Sequence, residues 1–255
     1  LVVGAPDEGF EQQAEAGRAY VFENASSLDI YTLVSPNPET DGLFGSAVAG
    51  VGDVNGDGAG DVLVGAPQEL AGDFPEAGRA YLFDGATRGV LYELSSPLPE
   101  QSGAFGHAVA GIGDLNGDMR AEFVVGAPKE DMSEVVDAGR AYIFNGSTGT
   151  VLGALVAPQP EDAASFGYAV AGVPDIDGDG IDDVVVGAYL DHAEQVGAAG
   201  KAYVFSSSSG ALLHELASPS PQSSGWFGSA VAGVPDVNGD GAGDVLVGAY
   251  GEQLV

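Results

Sequence analysis

The stretch FGSAVAGVGDVNGDGAGDVLVGAP, residues 44–67, decides how this chain folds, because close copies of it return three more times at a constant interval. Its Phe-Gly pair stands at Phe44, Phe105, Phe166 and Phe227, each 61 residues after the last. Its closing Gly-Ala-Pro/Tyr starts at Gly65, Gly126, Gly187 and Gly248, and once more at Gly4. A period this regular marks a repeat architecture, in which each unit buries its apolar surface against the next.

Outward from the quoted stretch, four short strands fit into one period. The first is FGSAVAGVGDV (44–54), and the second, DVLVGAP (61–67), is an unbroken apolar run of the kind covered on both faces. The third, GRAYLFDG (78–85), puts Ala80 and Leu82 on one face and Tyr81 and Phe83 on the other, and VLYELSSP (90–97) is the fourth. Four evenly spaced strands with turn residues between them describe one blade of a β-propeller. Ala47, Val48, Ala49 and Gly50 are small enough for the crowded innermost strand. No segment carries a capped apolar stripe at helical spacing, so no long helix is expected. The reading is an all-β propeller of four-stranded antiparallel blades, one domain or propeller segment over 1–255. Its repeat units are 1–43 (partial), 44–104, 105–165, 166–226 and 227–255 (partial).

Between the first and second strands of each blade lies a nine-residue acidic loop. The four copies are DVNGDGAGD (53–61), DLNGDMRAE (114–122), DIDGDGIDD (175–183) and DVNGDGAGD (236–244). Oxygen side chains fall at loop positions 1, 3, 5 and 9: Asp53, Asn55, Asp57 and Asp61; Asp114, Asn116, Asp118 and Glu122; Asp175, Asp177, Asp179 and Asp183; Asp236, Asn238, Asp240 and Asp244. A tight turn aims such alternate residues at one hard cation, with the position-7 carbonyl of Ala59, Arg120, Ile181 or Ala242 as a further oxygen. Oxygen ligands without His or Cys select calcium over zinc or copper. Asp, Asn and Gly also build plain polar turns. A plain turn, however, does not need acids repeated at fixed positions where their mutual repulsion is costly. The second loop departs from the others: Met119 replaces a Gly, Arg120 adds a positive charge, and Glu122 replaces the final Asp. Calcium is expected in the first, third and fourth loops, and weakly or not at all in the second.

The charge balance agrees with this. There are 38 acids against 7 bases, a net charge of −31, in a chain that is 45% hydrophobic and long enough for a substantial core. Such a surface repels nucleic-acid phosphates and anionic lipid headgroups, so neither is expected as a partner. Much of the acid lies outside the loops, as at Glu8, Glu69, Glu100 and Glu161, which would suit a salty or calcium-rich setting. With no Cys there is no disulfide framework, and no apolar run approaches a membrane span. The chain starts inside a repeat and without Met, so further sequence upstream is expected.

On the Phe-Gly pairs, the Gly-Ala-Pro segments and the intervening DVNGDGAGD loops, the chain resembles the FG-GAP repeats of the integrin α-subunit N-terminal propeller. The resemblance implies a seven-bladed propeller with calcium in hairpin loops on one face and protein partners on the opposite face and rim. It implies calcium ligands at Asp53, Asn55, Asp57 and Asp61 and at their counterparts, but transfers no partner-binding residue. Seven blades would need far more than 255 residues. The second strand occurs at both ends, at 1–6 and 245–250, which suggests a window cut from a longer propeller, or open ends that complement each other, over a small four-blade ring.

Arg18, Arg79, Arg140 and Lys201 recur just before Ala-Tyr, and a cation repeated on every blade reads as serving the blade rather than a ligand. His107, His192 and His214 occupy unrelated repeat positions and suggest no proton relay, so no enzyme is expected. Trp226, the sole Trp, is read as capping a blade. The leading functional expectation is an extracellular or cell-surface, calcium-binding adhesion module with a protein or glycan ligand on a propeller face. The alternatives are a surface-layer or filament subunit that self-associates through open blade edges, and an accessory domain of a larger secreted enzyme.

Overall fold

The computed structural model describes residues 1–23, 30–193 and 195–253, and among these every regular element is a β-strand. The first sheet holds β1 (Val2–Ala5), β2 (Arg18–Phe22) and β3 (Ile30–Leu33). Three full blades follow. The first is β4 (Ala47–Val51), β5 (Asp61–Ala66), β6 (Arg79–Phe83) and β7 (Val90–Leu94). The second is β8 (Ala108–Gly111), β9 (Phe123–Ala127), β10 (Arg140–Phe144) and β11 (Val151–Leu155). The third is β12 (Phe166–Val173), β13 (Asp183–Ala188), β14 (Lys201–Phe205) and β15 (Leu212–Ala217). A two-stranded sheet of β16 (Phe227–Val234) and β17 (Asp244–Ala249) ends the series. In each full blade, consecutive strands pair antiparallel in chain order, which is the expected meander.

The apolar second strands are buried along their whole length in all three full blades. Their alternate side chains enter different cores. Val62 and Val64 of β5 pack with Ala19 and Leu33 of the preceding sheet and with Phe44, the residue that opens their own repeat. Leu63 packs with Phe105, Val125 and Tyr142 of the following one. The same division recurs in β13, where Val184 and Val186 face back toward Ile143 and Leu155 while Val185 faces forward. Each core is therefore shared between two sheets, and no blade buries its faces alone.

Successive blades meet through main chain at the Phe-Gly end. The Phe105 N–H donates to the Ala77 carbonyl of the preceding blade at 2.8 Å, and Phe166 and Phe227 repeat the bond to Ala138 and Ala199. Gly106 sits at φ +88°, a conformation that favours Gly. A Cβ on Gly65 would fall on the Gly106 carbonyl, so both motifs need Gly for the same contact. The first strands lie side by side in one direction, with Gly111 against Val51 and Gly50, and Gly172 against Gly111. Because Val51 pairs with Asp61 and Ala47 with Gly65, every acidic loop lies at one end of its hairpin and the Phe-Gly and Gly-Ala-Pro junctions at the other. The four loops thus share one face.

Candidate metal-binding loops and the opposite face

The loops are held open by their own backbone. In the first, Asp53 turns inward, and its Oδ2 accepts the Gly58 N–H at 2.8 Å while its Oδ1 accepts that of Gly56. Asn55 Oδ1 accepts the Asp57 N–H at 2.9 Å, and Asp57 Oδ1 that of Ala59 at 2.8 Å. Asp61 closes the ring from the base: its two oxygens accept the N–H groups of Val54 at 3.0 Å and of Gly85 at 2.9 Å. Gly85 follows β6, so the last ligand position also ties the loop to the next turn of the blade. Loops three and four repeat the pattern through Asp175, Asp177, Asp179 and Asp183, and through Asp236, Asn238, Asp240 and Asp244.

These bonds shape the electrostatics. The N–H groups of Gly241 and Gly239 hold the Asp236 carboxyl below its ordinary value. Burial pushes Asp61 and Asp183 up instead, against the opposing N–H bonds. In the third loop, carboxylate oxygens of Asp175, Asp177 and Asp183 lie within 4.8 Å of one another. Oxygens on opposite sides of a calcium ion, each bonded at roughly 2.3–2.6 Å, stand about 5 Å apart, so this set fits such an ion. The structure shows the position-7 residues Ala59, Ile181 and Ala242 as N–H donors to the position-5 Asp.

The second loop keeps the same cradle despite its sequence. Asp114 accepts the N–H groups of Gly117 and Met119 at 2.8 Å each, and Asp118 accepts that of Arg120 at 2.9 Å. Glu122 uses its longer side chain to accept the Leu115 N–H at 2.7 Å and an Asn116 amide hydrogen at 2.8 Å. Met119 adopts φ +66°, where the other loops place Gly58, Gly180 and Gly241, so strain sits where the sequence predicts it. The Arg120 side chain does not turn into its own loop. Its guanidinium lies over Gly56 of the first loop and pairs with Asp53 at 3.6 Å.

At the Phe-Gly end the surface is aromatic. His107 meets Tyr168 at a tilt with centroids 4.5 Å apart, Tyr168 meets Tyr189 at 4.1 Å, and Trp226 meets Tyr250 at 4.8 Å. His107 Nδ1 lies 3.1 Å from the Tyr168 carbonyl, and burial lowers its pKa, so this residue is packed between blades.

The FG-GAP repeat model matches residues 44–83, 105–144, 166–205 and 227–253. The chain belongs to the FG-GAP repeat family. Integrin alpha-4 of Xenopus laevis is 31% identical over 200 residues, which are 74% of this chain and 18% of that protein. Integrin alpha-2 of Bos taurus is 37% identical over 202 residues, 74% of this chain and 16% of its own length. Integrin alpha-5 of Xenopus laevis reaches across 94% of the chain at 28% identity, and 23% of itself. The chain therefore spans about a fifth of these relatives. Among solved structures, Bacillus licheniformis rhamnogalacturonan lyase PL11 aligns with a TM-score of 0.49 at 14% identity, covering 91% of this chain and 48% of that one. That likeness is too loose to bear on chemistry.

One further feature of these FG-GAP blades escapes a reading that counts Glu69 among the surface acids. Glu69, Glu130 and Asp191 are buried, and each accepts a hydrogen bond from the Tyr twelve residues later, Tyr81, Tyr142 and Tyr203. Burial pushes Glu69 and Glu130 up to about 7. The recurring cation stands beside them: Arg140 pairs with Glu130 at 3.3 Å, Lys201 with Asp191 at 3.8 Å and Glu215 at 2.9 Å, and Arg79 with Glu93 at 3.6 Å. Each of these cations pairs with carboxylates of its own blade. Recurrence of the acid every 61 residues, from Glu8 to Asp191, was the available signal.

Proposed function

We propose that this chain is a calcium-stabilised, non-catalytic adhesion module that works at or outside the cell surface and binds a protein or glycan partner. The observation that carries this reading is the set of four acidic loops, prefolded by their own N–H groups and gathered on one face. In a chain of net charge −31, carboxylates crowded there repel one another, and a divalent ion supplies the missing positive charge. Asp53, Asn55, Asp57 and Asp61, with their counterparts in the other loops, would hold the ion, and the position-7 carbonyls would complete its shell. Calcium, when bound, supplies charge neutralisation and a rigid cross-link. Asp61 passes that rigidity to Gly85 and so to the rest of the blade.

The partner is assigned to the opposite face, where Tyr168, Tyr189, Trp226 and Tyr250 offer the large rings that dominate interface energetics. Membership of the FG-GAP family and likeness to integrin α chains support an adhesive role. Among the described residues no helix is long and apolar enough to cross a membrane. The test is thermal unfolding together with glycan-array and pulldown binding, each in calcium and in chelator. A calcium-dependent rise in Tm and calcium-dependent capture are expected. Identical melting and binding in both media would refute the reading.

A further inference from the structure

We propose that Arg120 is a tethered counter-ion for the first calcium loop, seated over Gly56 when calcium is scarce and displaced when calcium enters. The inference rests on reading the loops as calcium sites. Its consequence is that the first loop, identical to the fourth as DVNGDGAGD, loses calcium affinity to a residue that lies outside it.

The repeat supplies internal controls. Arg120 occupies position 7 of the second loop, and its counterparts are Ile181 and Ala242. At the first junction the guanidinium covers Gly56 so closely that a Cβ there would overlap it. At the next two, the equivalent glycines Gly117 and Gly178 meet nothing within 4 Å. The contact has a second anchor, since the adjacent Ala121 packs on Gly52 at the base of the first loop. The blade-to-blade packing of its own segment therefore holds the Arg120 backbone within reach of the first loop, and the ion pair with Asp53 seats the guanidinium there. It pairs with Asp53, the residue at position 1, which also accepts the Gly56 and Gly58 N–H groups. An incoming divalent ion and this guanidinium compete for one carboxylate, and like charges so close repel.

The second loop gains what the first loses. With Arg120 turned away, Asp114, Asn116, Asp118 and Glu122 face no positive charge from their own loop, and their cradle is intact. The structure thus moves the handicap of Arg120 from the second loop to the first.

The amides of Gly58 and Gly241 report on the two identical loops, since each donates to the position-1 Asp of its own ring. The experiment follows both by ¹H–¹⁵N NMR during a calcium titration of the wild type and of Arg120→Gln. Gly241 should saturate first. Arg120→Gln should lower the Gly58 midpoint roughly two- to fivefold, the range of a partly exposed ion pair, and leave Gly241 in place. A second variant, Ala242→Arg, transplants the cation to the third junction and should raise the calcium midpoint of Gly180 by a similar factor. An unchanged Gly58 midpoint, or equal shifts of Gly58 and Gly241, overturns the role of Arg120 while calcium binding stands. If neither glycine responds to calcium, the loop reading itself fails and takes this one with it.

Discussion

The first and fourth acidic loops have one sequence and two environments. In the first, Val54 is 1% exposed and the following Leu63 0%; in the fourth, Val237 is 75% exposed and Leu246 63%. Asp61 accepts N–H groups from Val54 and from Gly85 of the next turn. Asp244 accepts from Val237 and from the Asn238 side chain, both within its own loop. The difference teaches that the repeat unit carries only half the instructions for its own burial. The other half comes from the strands and blade packed against it, as expected of an array stabilised by nearest-neighbour interfaces.

The comparison breaks most readily in the core. Leu63→Ala is expected to cost about 3 kcal/mol and Leu246→Ala about 0.5 kcal/mol or less, read from urea unfolding. Equal losses would mean that the two sheets are packed alike. Next comes the base of the loop. In chelator, Asp61→Ala should cost about 2 kcal/mol by stranding the Val54 and Gly85 N–H groups, and Asp244→Ala should cost less than about 1 kcal/mol.

Acidity sharpens the contrast, since the enclosed blades also bury carboxyls away from the loops. Burial raises Glu69 and Glu130 from their ordinary value of 4.5 to about 7, so the folded state holds their protons more tightly than the unfolded chain. Their contribution is complete below about pH 4.5 and fades as the pH climbs through about 7, on the order of 3 kcal/mol for each group. Glu69→Gln should therefore flatten part of the stability loss between pH 5 and pH 8, measured as urea midpoints in chelator. A profile as steep as the wild type's would show that the folded state does not hold the Glu69 proton over this range. The smallest effect belongs to Met119→Gly, which relieves a side chain held at φ +66° and should stabilise by about 0.5–1 kcal/mol in thermal melts.

Much of this was legible in the residues themselves. The 61-residue period, the four strands and the loop positions all follow from local pattern, because hairpin turns and apolar runs are properties of short segments. The strain at Met119 was legible for the same reason. Arg120 was legible as a charge but not as a direction. Its own loop looks like the natural target in one dimension, whereas packing of Ala121 on Gly52 delivers it to the neighbour. Glu69 misleads in the same way: an acid in a loop sequence reads as solvated, and only the Tyr81 hydroxyl across the blade reveals it as interior. In both cases the deciding partner lies in a different strand or blade, where spacing along one segment carries no information.

The glycine-to-carbonyl joints between blades have a lasting effect on how such a chain can change. Because peptide groups rather than side chains set the step from one sheet to the next, that step stays the same at every joint whatever residues decorate the faces. Surfaces can drift and acquire new chemistry while the curvature of the array is inherited intact, and a single added methyl at a joint would tilt every sheet beyond it.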